Sequence, residues 1–311
     1  MIEDITIIGG NLTTRGWAIA FARTGFDVRL HVPEPEASGA MMDEIGRTLA
    51  DLAAFDGLNG AEPSTVAGRI RVVPDLAEAV RDAVHIQDNT DGLAAKSALF
   101  RRLDALAPTR ATIGSSNVGI LPSRFAEALG ARDRVLLVHP INPALIPVVE
   151  VAPTPWTAPA VVEGTVALMR RLGLRPVVLR EFKGLVIDRL AAALIHECFR
   201  LVAGGFATVE QIDACVSDGL ARRWAIAGPF ETMDVNASGG IADYIRSSEE
   251  LFREVFDESQ SFAVPWSGEL GRRVEAQCRE CLAPGRIDAR AAWRNRELAR
   301  LRQYKSLEPS R

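Results

Sequence analysis

The sequence predicts a doubly wound α/β domain followed by an all-α domain. Short apolar runs alternate with helical patterns through residue 183, as expected for a mostly parallel sheet with helices on both faces. From Gly184 onward helix follows helix, and no further strand pattern occurs. The 311 residues are enough for two domains of ordinary size. We therefore expect one domain at residues 1–183 and a helical domain at residues 184–311.

The first domain opens with a strand, a glycine turn, a helix and a second strand across residues 5–32. Such a unit buries its strands on both faces and starts a parallel sheet. Short apolar runs between breaker residues predict the later strands. These runs are residues 70–73, 84–87, 111–113, 135–138, 148–151 and 176–179.

The second domain is predicted from long amphipathic stretches. They lie at residues 187–203, 209–220, 266–282 and 289–304. Segment 185–220 carries more apolar residues than one helix face needs, so we expect a second buried surface and a homodimer. The Arg-rich polar side of the last helix is interpreted as a solvated face.

Composition excludes several classes of partner. A net charge of −4 disfavours nucleic acid, because phosphate binding needs a basic face. The apolar runs are too short for a membrane span, and the start of the chain does not resemble a signal peptide, so we expect a cytoplasmic protein. Cys278 and Cys281 have metal-like spacing but lack a second pair or a nearby histidine, so no metal site is expected.

Two ionisable residues stand where apolar residues are expected. The apolar run 135–138 leads directly into His139, and Glu150 lies inside the apolar run 148–151. A carboxylate that accepts a hydrogen bond from one imidazole nitrogen fixes the tautomer, so that the other nitrogen can move a proton. His139 and Glu150 are therefore a candidate acid/base pair. The alternative is a loop histidine and a strand-end glutamate that never meet.

The order of several motifs resembles the 3-hydroxyacyl-CoA dehydrogenase superfamily, and its L-gulonate 3-dehydrogenase or lambda-crystallin branch in particular. The resemblance covers residues 1 to about 245. After a Rossmann-like opening, the motifs are S-S-N at 115–117, H-P-x-N-P from 139, V-V-E-V at 148–151, G-L-V-I-D-R-L at 184–190 and S-D-G-L-A-R-R-W-A-I-A-G-P-F-E-T-M at 217–233. The resemblance implies a Rossmann-like nucleotide domain, a helical domain that forms a dimer, and an active site in the cleft between them.

The resemblance also implies roles for individual residues. His139 and Glu150 fall on the family's general acid/base pair, and Asn142 on a position that lines the nicotinamide and substrate pocket. The family's G-x-G-x-x-G motif corresponds to Gly9, Asn11 and Thr14, so two of its three glycines are replaced. The Asn11 side chain is expected to project into the space of the phosphates.

Two further cofactor positions depart from the family pattern. Val32 stands where the family has an acidic residue that binds the ribose hydroxyls. Loss of that acidic residue should weaken nucleotide binding by roughly tenfold to a few hundredfold. Asp91, with Lys96 after it, takes the place of the family's glutamate near the ribose.

The predicted substrate pocket is changed as well. It contains Ser116, Asn117 and Val118, and Val118 replaces the family serine that binds the reacting oxygen. Asp188 replaces a family asparagine and is a candidate acid if burial keeps it neutral. The alternative for Asp188 is a salt bridge to Arg189 or another cation.

Three functions follow from this pattern. Because the acid/base pair is kept while the cofactor signature is eroded, we expect an NAD-independent, cofactor-free enzyme that cleaves, dehydrates or cyclises a 3-oxo or 3-hydroxy acid. That small-molecule substrate could be free or carried as a thioester. The alternative is an NAD-dependent 3-hydroxy-acid dehydrogenase of the hydroxyacyl-CoA or L-gulonate type. A second alternative is a non-catalytic structural or binding homologue.

Overall fold

The computed structural model describes residues 4–34, 36, 38–58, 60–259, 264 and 266–306. The chain forms two compact units. One runs through Leu185 and includes the last helix from Ala291 onward, and the other is Val186–Arg290. The predicted second domain, residues 184–311, differs from this division at the last helix, which groups with the first unit.

The first unit is built on one sheet of eight strands. The strands are β1 (Asp4–Ile8), β2 (Asp27–His31), β3 (Ile70–Val72), β4 (Ala83–Asp88), β5 (Thr112–Ser115), β6 (Val135–Pro140), β7 (Val148–Pro153) and β8 (Arg175–Val178). Their order across the sheet is β3-β2-β1-β4-β5-β6-β7-β8. All neighbours are parallel except β6 and β7, which are antiparallel. The doubly wound, mostly parallel fold class is confirmed.

Helices connect these strands and bury their apolar sides on the sheet. They are α1 (Leu12–Ala22), α2 (Ser38–Ala53), α3 (Pro63–Ala67), α4 (Leu76–Val80), α5 (Leu93–Leu106) and α6 (Pro159–Arg171). Helix α1 is the most central, and its Trp17 and Phe21 are fully buried. Phe21 meets Phe26 edge to face at a centroid distance of 5.6 Å, a favoured geometry for aromatic rings.

The sheet topology gathers one set of chain segments at a single edge. Strands β1, β4, β5 and β6 run parallel, so their carboxyl ends share that edge. In open α/β sheets the ligand-binding crevice lies outside these carboxyl ends. Because β7 runs antiparallel to β6, it starts at the edge where β6 ends.

The last helix, α13 (Ile287–Ser306), contributes to the core of the first unit. Ala299 is 3% exposed and belongs to the same apolar cluster as Leu52 and Leu145. Arg302 donates a hydrogen bond to the carbonyl oxygen of Ala144 at 2.8 Å. These contacts explain why this helix groups with the sheet, although it follows the helical segment in sequence.

In the described residues of the second unit, helices are joined by turns and loops and no strand occurs. Its helices are α7 (Leu185–Ala203), α8 (Val209–Ala214), α9 (Ala221–Ile226), α10 (Pro229–Val235), α11 (Ile241–Ser259) and α12 (Gly268–Cys281). A π-helical turn, Cys215–Leu220, continues α8. A small core contains Val202, Ile212 and Leu270. None of the helices described here is long and apolar enough to cross a bilayer.

Helix α11 presents an uncovered apolar face. None of its side chains is buried, and even the large apolar side chains of Phe252 and Phe256 are 53% and 62% exposed. Ile245 and Val255 extend the stripe at helical spacing, while charged residues such as Glu254 lie elsewhere on the helix. Exposed apolar patches of this kind mark interaction sites. We propose that a second copy of this chain covers the stripe. The dimer surface predicted at residues 185–220 is a different one and stays a prediction.

The double variant Phe252→Glu/Phe256→Glu should convert a dimer to monomer, because it would bury charges in an apolar interface. Light scattering at micromolar concentration measures the change. The matched double variant Glu250→Gln/Glu254→Gln changes charges outside the stripe and should stay dimeric. A wild-type protein that scatters only as a monomer would contradict the proposal.

Candidate active site

The antiparallel pairing of β6 and β7 brings His139 and Glu150 together. The two residues are direct partners in the strand register, so their side chains share one face of the sheet. His139 Nδ1 lies 3.0 Å from Glu150 Oε2, within hydrogen-bond distance. Glu150 is only 2% exposed. A buried carboxylate at this distance holds the proton on Nδ1 and places the basic lone pair of the imidazole on Nε2.

Beside this pair, the same face of the sheet is apolar. Leu137 and Ala152 lie two residues further along β6 and β7, and side chains two apart share a face. They form a cluster with Val118 and Leu185, and Val118 is 5% exposed. The position of the family's pocket serine is therefore occupied by a buried apolar side chain.

The connection between β6 and β7 lies against helix α1. Asn142 Oδ1 accepts a hydrogen bond from the backbone N–H of Ala144 at 3.2 Å. A Cβ atom at Gly16 would come within 2.9 Å of Asn142 Oδ1 and 2.8 Å of Pro143 Cδ. Gly16 thus lets the connection approach the helix closely, a role that sequence analysis did not foresee. The Asn142 side chain helps to shape the loop after β6, and its role in the nicotinamide and substrate pocket stays a prediction.

Asn11 caps helix α1. Its Oδ1 accepts from the backbone N–H of Thr14 at 3.0 Å, and its Nδ2 donates to the carbonyl oxygen of Asn89 at 3.0 Å. The side chain therefore bridges the start of α1 and the residue that follows β4, and its projection into the phosphate space stays a prediction. Asparagine is among the best residues at this position, so the helix start is preserved without the second glycine.

Thr14 fills the space beneath Gly9. Thr14 is completely buried, and its hydroxyl donates to Asn11 Oδ1 at 3.1 Å. Gly9 has a φ of +134°, and a Cβ atom there would meet Thr14 Oγ1 at 2.7 Å and Asn89 Cβ at 3.1 Å. Gly9 is therefore required both by its backbone conformation and by its neighbours. In contrast, a Cβ atom at Gly10 would meet nothing within 4 Å, so this part of the turn is open.

Val32 belongs to the core. It follows β2 directly and is 2% exposed, in the same apolar cluster as Ile7 and Leu30. No carboxylate therefore occupies this position to bind a ribose. Glu34 and Glu36, which come next in the chain, are exposed.

Lys96 does not face an open groove. It is 0% exposed, and its ammonium donates to Asp88 and, at 3.0 Å, to Ser115 Oγ. The predicted role of Lys96 in cofactor contact needs correction, since a fully buried ammonium cannot reach a nucleotide unless the structure changes. Asp91 is exposed and accepts from Asn117 Nδ2 at 2.8 Å, so these two predicted residues do meet.

Ser116 is part of an internal polar chain. Its hydroxyl accepts from Trp17 Nε1 at 3.0 Å and from Gln87 Nε2 at 2.8 Å, and it is 7% exposed. Gln87 Oε1 lies 3.0 Å from His85 Nε2, and His85 Nδ1 lies 2.6 Å from Thr112 Oγ1. Because Gln87 Oε1 can only accept, the neutral imidazole donates from Nε2 and accepts from Thr112. The Ser116 hydroxyl is therefore bonded within the core next to the site, and little of this residue is exposed to a substrate.

Asp188 lies in the second unit. It stands in the first turn of α7, and its side chain is exposed. The acid role and the salt-bridge alternative both stay predictions. The cysteines of the C-x-x-C segment are free thiols, and no group of three or more potential metal ligands occurs in the part of the chain that the structure describes.

Sequence reasoning missed Asp88 and Asn89. Asp88 holds Lys96 and also accepts from the N–H and hydroxyl of Thr90. Asn89 packs against Gly9, and its Oδ1 has no hydrogen-bond partner among the described residues. The signal was available: a polar run, Gln87 to Thr90, follows an apolar strand directly at the carboxyl edge of the sheet.

Comparison with known proteins identifies the family. The model of the 3-hydroxyacyl-CoA dehydrogenase NAD-binding domain matches residues 4–182, and that of the C-terminal domain matches residues 184–273. Lambda-crystallin of Oryctolagus cuniculus is 37% identical over 310 residues, covering 97% of this chain and 96% of its own. The chain belongs to the 3-hydroxyacyl-CoA dehydrogenase superfamily, in its lambda-crystallin branch.

Two further proteins to which the chain is similar are named as dehydrogenases. L-carnitine dehydrogenase of Pseudomonas syringae pv. syringae is 34% identical, over 74% of this chain and 72% of its own. The crystal structure of 5-formyl-3-hydroxy-2-methylpyridine 4-carboxylic acid 5-dehydrogenase, described as an NAD+-dependent dismutase, superposes with a TM-score of 0.81. It is 26% identical and covers 99% of this chain and all of its own.

The cap at Asn11 can be tested by unfolding in urea. Asn11→Ala removes the acceptor for the Thr14 N–H and should lower the free energy of unfolding by about 1 kcal/mol. Asn11→Ser keeps a capping oxygen and should remain close to wild type. Equal stability of the alanine and serine variants would show that the side chain is not a cap.

Buried His85 should make the protein sensitive to acid. Burial lowers its pKa from 6.5 to about 4, against a weaker opposing effect of the Gln87 hydrogen bond. Between pH 6.5 and about pH 4 the folded state therefore binds fewer protons than the unfolded chain. The stability that the neutral His85 contributes is present above about pH 6.5 and is lost as the pH falls toward 4. The full loss is on the order of 3 kcal/mol.

The measurement compares urea unfolding of wild type and His85→Gln at about pH 7 and about pH 5. The variant should lose less stability on acidification than wild type. His31→Gln, which changes a histidine outside this polar chain, should retain the wild-type pH dependence. An equal loss of unfolding free energy in wild type and His85→Gln would contradict a buried, neutral His85.

Proposed function

We propose that this protein is an NAD-dependent dehydrogenase of 3-hydroxy acids. The single observation that carries the proposal is the 3.0 Å contact between His139 and the buried Glu150 at the carboxyl edge of the sheet. Membership of a family whose N-terminal domain binds NAD supports this function over the NAD-independent chemistry expected from the sequence. The similarity to enzymes named as dehydrogenases points the same way.

The turn between β1 and α1 fits the phosphates of a dinucleotide. Gly9 adopts the backbone conformation that only glycine takes easily, and the turn is open at Gly10. The first amides of a helix lack carbonyl partners within it, and in α1 the Asn11 cap already accepts from one of them, that of Thr14, so only the others are left for an anion. Together with the helix dipole, such amides favour an anion. NAD would therefore be held through this turn, and when bound it supplies the hydride acceptor.

The acid/base pair accounts for the proton in this reaction. Nε2 of His139 accepts the proton of the substrate's 3-hydroxyl as that carbon is oxidised to a carbonyl. Glu150 stabilises the imidazolium that forms, because its carboxylate accepts from Nδ1. In the reverse direction the imidazolium returns the proton to the carbonyl oxygen. Neither step needs the family's pocket serine, whose position Val118 occupies.

Affinity for the adenosine part of NAD should be low. The position of the ribose anchor is the buried Val32, so a charge-assisted hydrogen-bond acceptor is missing there. Such bonds are worth about 1.5–3 kcal/mol, which corresponds to roughly tenfold to a few hundredfold in Kd. We expect the phosphate turn and the nicotinamide end to contribute most of the binding. A calorimetric titration with NADH measures the Kd. The wild-type protein should bind NADH detectably, without the substitution Val32→Asp.

NAD-independent acid/base chemistry is the second candidate, and the same Val32 and Val118 favour it. A histidine held by a carboxylate can start a retro-aldol cleavage or a dehydration of a 3-hydroxy acid without a hydride acceptor. The two candidates differ in one requirement: strict dependence of product formation on NAD+ excludes the second. A non-catalytic homologue, the third candidate, would show no turnover of either kind.

The substitution His139→Ala tests the catalytic pair. With NAD+ and a panel of 3-hydroxy acids that includes L-carnitine and L-gulonate, it should lower the rate of nicotinamide reduction on the order of a hundredfold or more. NADH affinity should change little, because the imidazole acts on the substrate. His196→Gln, in the second unit, serves as the histidine control and should keep full activity. Full turnover by His139→Ala would refute the proposed role.

A further inference from the structure

The first unit contains a cavity apart from the candidate active site. Its volume is about 680 Å3, which lies within the range of small-molecule pockets. It lies between the end of α2, the β6–β7 connection and the last helix, α13. Its wall is mainly apolar and includes Leu52, Phe55, Leu145, Ile146, Leu298 and Leu301. Neither His139 nor Glu150 lines it, so a ligand bound here would be separate from the candidate active site.

One arginine lines this cavity, and a second, buried arginine lies behind it. Arg302, which lines the wall, donates from Nη1 to the carbonyl oxygen of Ala144 at 2.8 Å. Arg23 donates from its own Nη1 to the same oxygen at 2.7 Å and is 5% exposed. Neither guanidinium forms an ion pair within the described residues. The polar lining is completed by Asp56, Gln303 and Lys305.

This arrangement is unfavourable without an anion. Arginine is seldom buried unless a carboxylate or phosphate accompanies it, and two like charges around one carbonyl repel each other. Burial, and then the neighbouring Arg302, lower the pKa of Arg23 to about 9. Burial also lowers the pKa of Arg302. A bound anion would remove the repulsion and offset the loss of hydration.

Gly173 also lines the cavity and lies next to Arg302, since a Cβ atom placed on it would be in ordinary contact with Arg302 Nη2 at 3.8 Å. Planar guanidinium and carboxylate groups match in geometry, and the apolar wall matches an alkyl chain.

We propose that this cavity binds a medium-chain carboxylate, with the carboxylate at Arg302 and the alkyl chain along the leucine-rich wall. The ligand class follows from the two features together. The arginines require an anion, and the apolar wall requires a chain that water does not favour. A bare inorganic anion would leave the wall unfilled, and an uncharged chain would leave the arginines unpaired.

A calorimetric titration of the full chain with octanoate tests the proposal. Octanol and inorganic phosphate are the matched ligands that lack the charge or the chain. Octanoate should bind at least about tenfold more tightly than either, since a charge-assisted hydrogen bond is worth about 1.5–3 kcal/mol. Octanol binding as tightly as octanoate would overturn the role of the arginines, and phosphate binding as tightly would overturn the role of the wall. Absence of octanoate binding would overturn the whole proposal.

Two variants locate the site. Arg302→Met removes the guanidinium while keeping an apolar stem, and should weaken octanoate binding about tenfold or more. Leu301→Glu places a carboxylate on a wall position that is 42% exposed, so folding should tolerate it, and should weaken binding to a similar extent. Arg294→Met, on the same helix but outside the cavity, is the control and should bind as wild type does. Wild-type affinity in both Arg302→Met and Leu301→Glu would place the ligand elsewhere.

Discussion

The pairing of β6 with β7 is the constraint on which the candidate site depends. Antiparallel register sets His139 directly opposite Glu150, so two residues separated in sequence become neighbours on one face of the sheet. A parallel β7 would need a long crossover connection and would start at the opposite edge. The reversal therefore brings a carboxylate to the edge where the parallel strands end. The apolar neighbours Leu137 and Ala152 surround this pair with a surface that cannot compete for its hydrogen bond.

The phosphate turn shows how a motif can change in sequence while its geometry is kept. Asn11 replaces a glycine, yet it caps α1 through Thr14 and joins the turn to Asn89. Thr14 replaces another glycine and fills the space next to Gly9. These two substitutions are coupled, because Asn11 Oδ1 accepts both hydrogen bonds from Thr14. The start of α1 is thus regular without two of the family's glycines, but the Thr14 amide is already bonded to Asn11, and the buried Val32 is a further loss at the ribose.

The sequence predicts the features that depend on local pattern. Alternating apolar runs and helices predict the doubly wound sheet, and the interruption of two apolar runs predicts His139 and Glu150. What it did not predict depends on distant partners. Lys96 is buried because Asp88 and Ser115 surround it, and Arg302 returns to Ala144 across half the chain. The reversal of β7 was predictable in retrospect, since the connection at residues 141–147 is too short for a helical crossover.

In the proposed reaction the His139–Glu150 pair takes the proton of the 3-hydroxyl while carbon 3 of the same substrate gives a hydride to NAD+. It is tested most directly with a 3-hydroxy acid that the wild-type protein turns over, deuterated at carbon 3. The account predicts that mass spectrometry finds the deuterium in the reduced nicotinamide, one equivalent for each 3-oxo acid formed. Product formed without deuterium in the nicotinamide would contradict it.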